Sequence, residues 1–297
     1  MDISERMIEI TGYAAMTSDA EAAKKFDVSY ETVSRYRRAL KGKNLQQTSP
    51  KILVFDIENT PTEAYVWNKS VWNTRVMPKQ LIEDWFMICW TAKWLDSSEI
   101  INSCLTPEEA KNGDDKRVVK GLNRLFDEAD MIIAHNGKKF DVPMANTRFL
   151  YYKMPIPSPY RIIDTLLMAR KAFAVTFNHL DYLGEFLGLG RKKETNFQLW
   201  KDCMAGDKKA LDEMQAYNNQ DVILLEDVYH AIKGWSKSHP NMNVYQDTEM
   251  CCSVCGSENI KQKGDYTTNV NSFASYQCND CGAYSRKTRK KLVSLAR

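Results

Sequence analysis

Long apolar runs are missing from this sequence. No window of its 297 residues approaches the roughly 20 consecutive apolar residues that a transmembrane helix requires. The first ten residues, MDISERMIEI, are charged and contain no apolar signal segment. We therefore expect an intracellular protein without a membrane span, whose eight cysteines are reduced thiols and do not form a disulfide framework.

The chain also has little net charge, a formal +3 at pH 7. Its small positive excess lies at the two ends, which flank a slightly acidic middle. Basic ends suit a polyanionic partner such as a nucleic acid, and an acidic middle suits a metal-binding centre. Hydrophobic residues make up 43% and charged residues 27% of the chain, which predicts a globular core domain with one or two small attachments.

Internal repeats and low-complexity tracts are absent as well, and two polar segments divide the chain. KGKNLQQTSP (41–50) and SKSHPNMNVYQDTE (236–249) are typical of linkers. They predict three domains, at residues 1–45, 51–235 and 250–297. The middle domain is predicted to have an α/β fold, a mixed sheet flanked by helices. Its predicted strands lie at 51–57, 85–95, 99–105, 130–136 and 161–164, and its predicted helices lie near 115–128, from 141, after 164 and at 207–233.

Two acids end the most hydrophobic of these strands, in ILVFDIENTP (52–61). Side chains alternate between the faces of a strand, so Asp56 and Glu58 point the same way and Ile57 points the other way. Carboxylates that lie so close repel each other unless a positive charge lies between them, and a divalent cation is the usual solution. The alternative is that the strand ends at Phe55 and the two acids are solvated turn residues.

Two further acids follow later in the chain. Asp141 comes after the strand in MIIAHN and begins a helix. Tyr217 and Asp221 are four residues apart in the amphipathic helix AYNNQDVILLEDVYHAI, so they share one face. Asp221 lies at the edge of the apolar stripe, which is a poor place for an unpaired charge and a good one for a metal ligand. Taken singly, Asp141 is also compatible with a helix N-cap and Asp221 with a solvated acid.

The order of FDIE, NGKKFD and a Tyr-x-x-x-Asp helix resembles the DEDD superfamily of 3′→5′ exonucleases, and the tyrosine marks its DEDDy branch. The resemblance implies a ribonuclease H-like fold in which Tyr217 positions or helps to deprotonate the attacking water. Two Mg²⁺ or Mn²⁺ ions about 3.5–4 Å apart would clamp the attacking and leaving oxygens. Hard oxygen ligands favour these metals. The implied ligands are Asp56, Glu58, Asp141 and Asp221.

The similar segment, about residues 51–235, also resembles the proofreading domain of family-B DNA polymerases. The resemblance implies contacts with the terminal nucleotide from Asn59, Thr60 and Asn136. A plain turn asparagine is equally compatible with Asn136.

The carboxyl-terminal segment contains two cysteine knuckles, Cys252-x-x-Cys255-Gly and Cys278-x-x-Cys281-Gly. Four thiolates at this spacing predict one structural Zn²⁺ ion in a zinc ribbon, and the glycines permit the turns that wrap the metal. Cys251 could substitute for its neighbour, but only Cys252 keeps the two-residue spacing. The basic tail SRKTRKKLVSLAR follows, in which Lys287 and Arg289 are candidate phosphate contacts; a solvated tail is the alternative.

The amino-terminal segment 18–43 has the pattern of a helix-turn-helix. Its apolar residues would form a small core, and Asp27 stands in the turn, where glycine is usual. Arg35, Arg37 and Arg38 would then lie near DNA phosphates. An ordinary helical hairpin is the alternative.

Together these features predict a metal-dependent 3′→5′ exonuclease that hydrolyses DNA, preferably single strands, and releases 5′-mononucleotides. A chain of 297 residues leaves no room for a polymerase domain beside the nuclease, so we expect any DNA polymerase partner to act in trans. The expected setting is replication or repair in the cytoplasm of a bacterium or a phage-infected host. The alternatives are a 3′→5′ RNA exonuclease and a DNA-binding regulator with an inactive nuclease core.

Overall fold

The computed structural model describes residues 3–16, 19–29, 32–33, 36, 50–67, 75–192, 195–245, 250–269 and 271–287. The chain divides into two units, Met1–Ser49 with Tyr245–Asp247 and Pro50–Val244 with Thr248–Arg297. In the described residues, the strands are β1 (Ile52–Asn59), β2 (Glu63–Ala64), β3 (Leu81–Glu83), β4 (Met87–Trp94), β5 (Ile101–Cys104), β6 (Met131–Ala134), β7 (Arg161–Asp164), β8 (Ile260–Thr267), β9 (Ser272–Cys278) and β10 (Tyr284–Arg286). The α-helices are α1 (Ile3–Met16), α2 (Asp19–Lys25), α3 (Pro107–Lys111), α4 (Lys116–Glu128), α5 (Asp141–Tyr151), α6 (Thr165–Ala172), α7 (Leu180–Phe186), α8 (Phe197–Met204) and α9 (Lys208–Ile232).

The larger unit is built on a mixed sheet with the strand order β5-β4-β1-β6-β7. β1 lies at its centre, antiparallel to β4 and parallel to β6. Ile52, Leu53, Val54 and Phe55 are all buried, because helices cover both faces of this strand. The predicted mixed sheet flanked by helices is confirmed.

Alternation along the strands assigns the two faces of the sheet to different helices. On β4, Trp90 donates a hydrogen bond of 2.7 Å to the Val118 carbonyl of α4. The next residue, Thr91, donates one of 2.8 Å to Asn219 of α9. Because successive side chains point to opposite faces, α4 and α9 cover opposite sides of the sheet.

The core on the α4 side is aromatic. Phe126 meets Phe55 edge to face, with ring centroids 4.9 Å apart. It also contacts Phe149 of α5 at 5.5 Å and Tyr160 at 5.4 Å, in the same T-shaped arrangement. Such pairs contribute beyond the area that they bury, so they fix α4 and α5 against β1.

The predicted elements of the core are confirmed with shifted ends. The strand predicted at 51–57 runs on to Asn59, so the alternative that it ends at Phe55 is wrong. The helix predicted at 207–233 is α9, and its N-cap Asp207 accepts hydrogen bonds from the backbone of Lys209 and Ala210. The sequence patterns did not predict α3, α7, α8 or the pair β2 and β3. These elements are short, and a short segment carries little periodic signal.

The smaller unit has a small helical core. Ile10, Ala14, Ala22 and Val33 are buried there. Asp27 has a φ of +50°, and Ser29 Oγ accepts a 3.1 Å hydrogen bond from the Thr32 amide at a helix start. A small amino-terminal helical domain is confirmed, and its assignment as a helix-turn-helix stays a prediction. Arg35, Arg37 and Arg38 lie outside the described residues, as do 41–49 and 246–249 of the two predicted linkers.

Within the described part of the chain, every helix is too short or too polar to cross a bilayer.

Two neighbouring residues of α5 test the aromatic core. Phe149 is 4% exposed, whereas Leu150 is 79% exposed. We expect Phe149→Ala to lower the free energy of unfolding by about 3–5 kcal/mol, since it leaves a cavity beside Phe126. Leu150→Ala should change it by less than about 0.5 kcal/mol. Urea unfolding of both variants checks this, and equal losses would contradict the packing described.

Candidate active site

The acids predicted from the sequence meet at one edge of the sheet. β1, β6 and β7 run parallel, so their carboxyl ends lie together. Asp56 and Glu58 stand near the carboxyl end of β1, and the chain after β6 turns to place Asp141 at the first residue of α5. Ile57 points into the core between them. Asp56 and Glu58 therefore face α9, the helix that carries Tyr217 and Asp221.

Three of these acids form a compact group. Carboxylate oxygens of Asp56, Glu58 and Asp221 lie within 4.8 Å of one another. Asn218 of α9 donates a 2.7 Å hydrogen bond to Asp56 Oδ2, which ties the helix to the strand. The group can hold a metal ion.

Asp141 is the fourth acid and lies beside this group. Its side chain is buried, and the backbone of Ile57 hydrogen-bonds to it, which holds it against the middle of the motif in β1. The Asp141 charge helps to raise the pKa of both Asp56 and Glu58. All four acids predicted as metal ligands are thus brought to one place.

Burial dominates the electrostatics of the group. It raises the pKa of Asp56 well above its ordinary value, and the charges of Asp141 and Glu58 add to the rise. Burial likewise raises the pKa of Glu58 to about 8 and that of Asp141 to about 7. The pKa of Asp221 is raised by burial too, against the opposing charge of Lys192. The site therefore disfavours its own negative charge and favours an added cation.

Lys192 is a site residue that the sequence reasoning did not single out. Its ammonium donates hydrogen bonds to Asp221 Oδ2 at 2.6 Å and to the Tyr217 hydroxyl at 3.4 Å. Burial opposes its charge, but the charges of Asp221 and Asp56 outweigh that effect and raise the pKa of Lys192. Lys192 lies in the basic stretch LGRKKETNFQLW, and spacing alone does not choose among the three cations of that stretch.

Tyr217 lies one helical turn before Asp221, and the Lys192 ammonium bridges the Tyr217 hydroxyl and the Asp221 carboxylate. Burial raises the pKa of the Tyr217 phenol to about 12. The hydroxyl therefore keeps its proton at neutral pH and acts as a hydrogen-bond donor.

Asp164 organises the turn that leads to Asp141. Its carboxylate accepts hydrogen bonds from the amides of Asn136 (3.2 Å), Lys138 (3.1 Å) and Leu167 (3.2 Å). Asn136 adopts a φ of +68°, as a turn asparagine can. These contacts give Asn136 and Asp164 a positioning role for Asp141.

Asn59 and Thr60 follow the acids of β1 and differ in their surroundings. Both polar atoms of the Asn59 carboxamide are buried without a hydrogen-bond partner among the described residues. The Thr60 hydroxyl accepts a 2.9 Å hydrogen bond from the Phe86 amide and is itself buried. Asn59 is therefore available to a ligand, whereas Thr60 fixes the backbone.

The donor set fits a divalent cation such as Mg²⁺ or Mn²⁺. Asp221 Oδ1 is buried and has no hydrogen-bond partner in the part of the chain that the structure describes. A buried carboxylate oxygen without a donor is costly unless a cation binds it. Carboxylate oxygens are the ligands that these hard cations prefer.

The four predicted cysteines also meet. The sulfurs of Cys252 and Cys281 are 3.5 Å apart, and those of Cys255 and Cys278 are 3.7 Å apart. These separations far exceed the ~2.05 Å of a disulfide and match the edges of a tetrahedron of thiolates around one ion. Cys251 instead donates its thiol to Asn243 and stands outside the cluster.

β8, β9 and β10 form the three-stranded antiparallel sheet of this ribbon. Gly256 and Gly282, which follow the knuckle cysteines, have φ values of +77° and +73°, as the predicted turns require. The ribbon packs closely on the end of the core domain, since a Cβ at Gly234 would collide with the Cys281 carbonyl. Lys287 is exposed after β10, and Arg289 lies outside the described residues.

A third group of potential ligands comprises Asp96, Glu226 and His230. Lys93 forms an ion pair with Glu226, and Lys233 Nζ donates a 2.7 Å hydrogen bond to His230 Nδ1. His230 Nε2 lies 3.1 Å from Asp96 Oδ1, so side chains of the protein already engage each member of the group.

Residues 94–233 match the family model of the RNase_H superfamily. The core domain is ribonuclease H-like. The matched range contains Asp141, Tyr217 and Asp221 and begins after β1, which carries Asp56 and Glu58. Together with the acidic cluster, the match supports a nuclease.

The search of curated proteins finds no match. Among solved structures, the family B DNA polymerase of the hyperthermophilic archaeon Pyrobaculum calidifontis is similar over 63% of this chain, with 16% identity and a TM-score of 0.42. The similar region covers 25% of that polymerase.

The carboxylates make stability depend on pH. The folded protein holds the Glu58 proton with a pKa of about 8, against 4.5 for an ordinary glutamate. The folded state therefore binds this proton more tightly than the unfolded chain does. Protonation of Glu58 contributes its full stabilisation below pH 4.5, and this stabilisation is lost as the pH rises through about 8. We expect the free energy of unfolding of the metal-free protein to fall across this interval.

Two changes should remove much of this decrease in the free energy of unfolding. Glu58→Gln should flatten the profile because it deletes the titrating group, and saturating Mn²⁺ should do so because a bound cation stabilises the ionised form. Glu99→Gln, at an exposed site, is the control. Urea unfolding between pH 4.5 and 8.5 measures all of these, and a profile for Glu58→Gln identical to the wild type would contradict the assigned electrostatics.

Proposed function

We propose that this protein is a metal-dependent 3′→5′ exonuclease that hydrolyses DNA from single-stranded 3′ ends. The observation that carries the proposal is the meeting of four carboxylates at one sheet edge, two buried and two half-buried, opposite a helix that presents Tyr217. The ribonuclease H-like core supports it. The basic ends and the ribbon support a polynucleotide substrate.

Two divalent ions bound by Asp56, Glu58, Asp141 and Asp221 would activate a water and stabilise the leaving 3′ oxygen. Other residues of the protein hold these ligands in position. Asn218 holds Asp56 in place, and the backbone of Ile57 holds Asp141. Ligands that are held in place need no rearrangement during the reaction. Such preorganisation is the main source of electrostatic catalysis.

Tyr217 would orient the attacking water. Its phenol, with a pKa of about 12, keeps its proton near neutral pH, so it donates a hydrogen bond and does not accept the proton of the water. Lys192 contacts both Tyr217 and Asp221. A cation held by Asp221 would repel the Lys192 ammonium, which would then be free to approach a substrate phosphate.

DNA is favoured over RNA because a helix-turn-helix reads the major groove of duplex DNA, whereas A-form RNA has a major groove too narrow to read. On this basis the amino-terminal unit would bind duplex DNA, and the ribbon, with one structural Zn²⁺ and Lys287 beside it, would contact phosphates. A replication or repair role, with a DNA polymerase acting in trans, agrees with these parts.

Three variants test the reaction. We expect Asp221→Asn to abolish cleavage, since it removes a ligand charge. Tyr217→Phe should slow the chemical step by about 10²–10³-fold, the usual effect of removing one positioned hydrogen-bond donor, and should leave Mn²⁺ affinity nearly unchanged. Asp212→Asn, an exposed acid on the same helix, is the control. Single-turnover cleavage of 3′- and 5′-labelled DNA and RNA measures these rates.

The labels also decide polarity and substrate. Release of 5′-mononucleotides from the 3′ end supports the proposal. Degradation from the 5′ end, or cuts within circular single strands, would contradict the proposal. A faster rate on RNA than on DNA would favour the alternative function, a 3′→5′ RNA exonuclease.

The ribbon should hold about one zinc ion per chain. We expect Cys278→Ser to lose zinc and to weaken nucleic-acid binding more than it alters the chemical step. Cys251→Ser should keep zinc, because the Cys251 thiol bonds to Asn243 and not to the cluster. Metal analysis after reducing, chelator-free purification measures the content. Zinc loss from Cys251→Ser but not from Cys278→Ser would refute the assigned ligands.

A further inference from the structure

A two-stranded hairpin extends from the edge of the sheet that carries the carboxylates. We call its described residues, 61–67 and 75–85, the arm. They include β2 and β3, which pair antiparallel. No step of the proposed reaction involves the arm.

The arm begins and ends beside the candidate active site. β1 finishes at Asn59, directly after Glu58, and the antiparallel β4 starts at Met87 on the same edge. Thr60 closes the base, since its amide donates to the Phe86 carbonyl at 2.9 Å and its hydroxyl accepts from the Phe86 amide at 2.9 Å. The arm is therefore anchored at the site.

Two aromatic side chains of the arm are open to solvent. The exposed fraction is 97% for Trp67 and 75% for Tyr65. Neither ring stacks on another aromatic ring in the described parts of the chain. Met77 and Ile82 are also more than half exposed. Four exposed apolar side chains on one short hairpin are typical of a binding surface, whereas scattered exposed apolar residues are not.

The charges of the arm are divided between its two ends. The acids Glu63, Glu83 and Asp84 stand at its base, where Glu63 pairs with Glu83, and the cations Arg75 and Lys79 lie beyond them. Arg75 and Lys79 are exposed. Open aromatic rings among cations are the chemistry that binds single-stranded nucleic acid, because bases stack on the rings and phosphates meet the cations.

The position of the arm agrees with this partner. Trp67 is nine residues from Glu58, a reach of at most about 30 Å along an extended chain. A strand whose 3′ end lies at the carboxylates would pass the base of the arm on leaving across the same edge of the sheet. The carboxamide of Asn59, which has no hydrogen-bond partner among the described residues, lies between the carboxylates and the arm.

We propose that the arm is a binding surface for single-stranded nucleic acid, in which Tyr65 and Trp67 stack on bases upstream of the terminal nucleotide and Arg75 and Lys79 contact phosphates. The inference rests on the proposed function, since it takes the direction of the strand from the carboxylates. It adds an aromatic subsite remote from the reacting bond, which holds the substrate without touching the reacting atoms.

The test separates binding from cleavage. Affinity for a fluorescent 20-nucleotide oligothymidylate, and for its uridylate counterpart, is measured by anisotropy in the Asp56→Asn protein. We expect Trp67→Ala to weaken binding about 5- to 150-fold, the usual effect of removing one stacking ring. Trp67→Phe should retain most of the affinity. Trp235→Ala, at another exposed tryptophan, should have no effect.

A second measurement uses the cleavage-competent protein, which lacks the Asp56→Asn substitution. Trp67→Ala should slow removal of nucleotides from the 20-nucleotide strand at subsaturating concentration, and should leave the cleavage rate of a dinucleotide unchanged because a dinucleotide cannot reach the arm. Thermal unfolding should be unaltered, since the side chain is exposed. Comparison of DNA with RNA reports which polymer the arm prefers.

Failure of this inference is distinct from failure of the nuclease. Unchanged affinity in Trp67→Ala would overturn the arm as a nucleic-acid surface, even where cleavage proceeds. A change of oligomeric state in sedimentation, without a change in affinity, would overturn it in favour of a contact between copies. Absence of cleavage of both substrates by the wild type would refute the nuclease and leave the binding measurement to be judged by itself.

Discussion

Mutual repulsion among buried and half-buried carboxylates is the constraint on which this structure depends. Asp56, Glu58, Asp141 and Asp221 share one edge of the sheet, and burial raises the pKa of each. A domain with only modest net stability can tolerate such a cluster if something offsets the repulsion. In this protein one lysine, Lys192, does so in part, and the orphaned oxygen of Asp221 marks where a cation would complete the offset.

The geometry of one strand makes the cluster compatible with a packed core. On β1, Phe55 and Ile57 point toward α4, and Asp56 and Glu58 point toward α9. The alternating pleat therefore separates apolar and acidic side chains that are neighbours in sequence. A shift of register by one residue would bury both acids in the aromatic core, so correct pairing of β1 with β4 and β6 is a condition for the site.

Much of the site could be predicted because its signals are periodic. Spacing of two on a strand and of four on a helix placed Asp56 with Glu58 and Tyr217 with Asp221, and two Cys-x-x-Cys knuckles placed the ribbon. Lys192 could not be predicted, because its contacts depend on the path of a loop. The arm could not be predicted either, since its strands are too short for alternation to show.

The burial of Thr60 illustrates a further limit. Its place after the acids suggested a contact with nucleotide, but the structure uses its hydroxyl to close the base of the arm on Phe86. Sequence spacing could not reveal that Phe86, 26 residues away, would be its partner. Pairings between distant segments depend on the tertiary fold, and local patterns carry no record of them.

The most direct test of the account is the position of bound metal. Crystals grown with Mn²⁺ and a nucleoside monophosphate should show two anomalous peaks about 3.5–4 Å apart among the four carboxylates, with Lys192 displaced from Asp221. Peaks only at Asp96, Glu226 and His230, or a Lys192 to Asp221 ion pair that persists in saturating Mn²⁺, would contradict a two-metal nuclease site at this edge of the sheet.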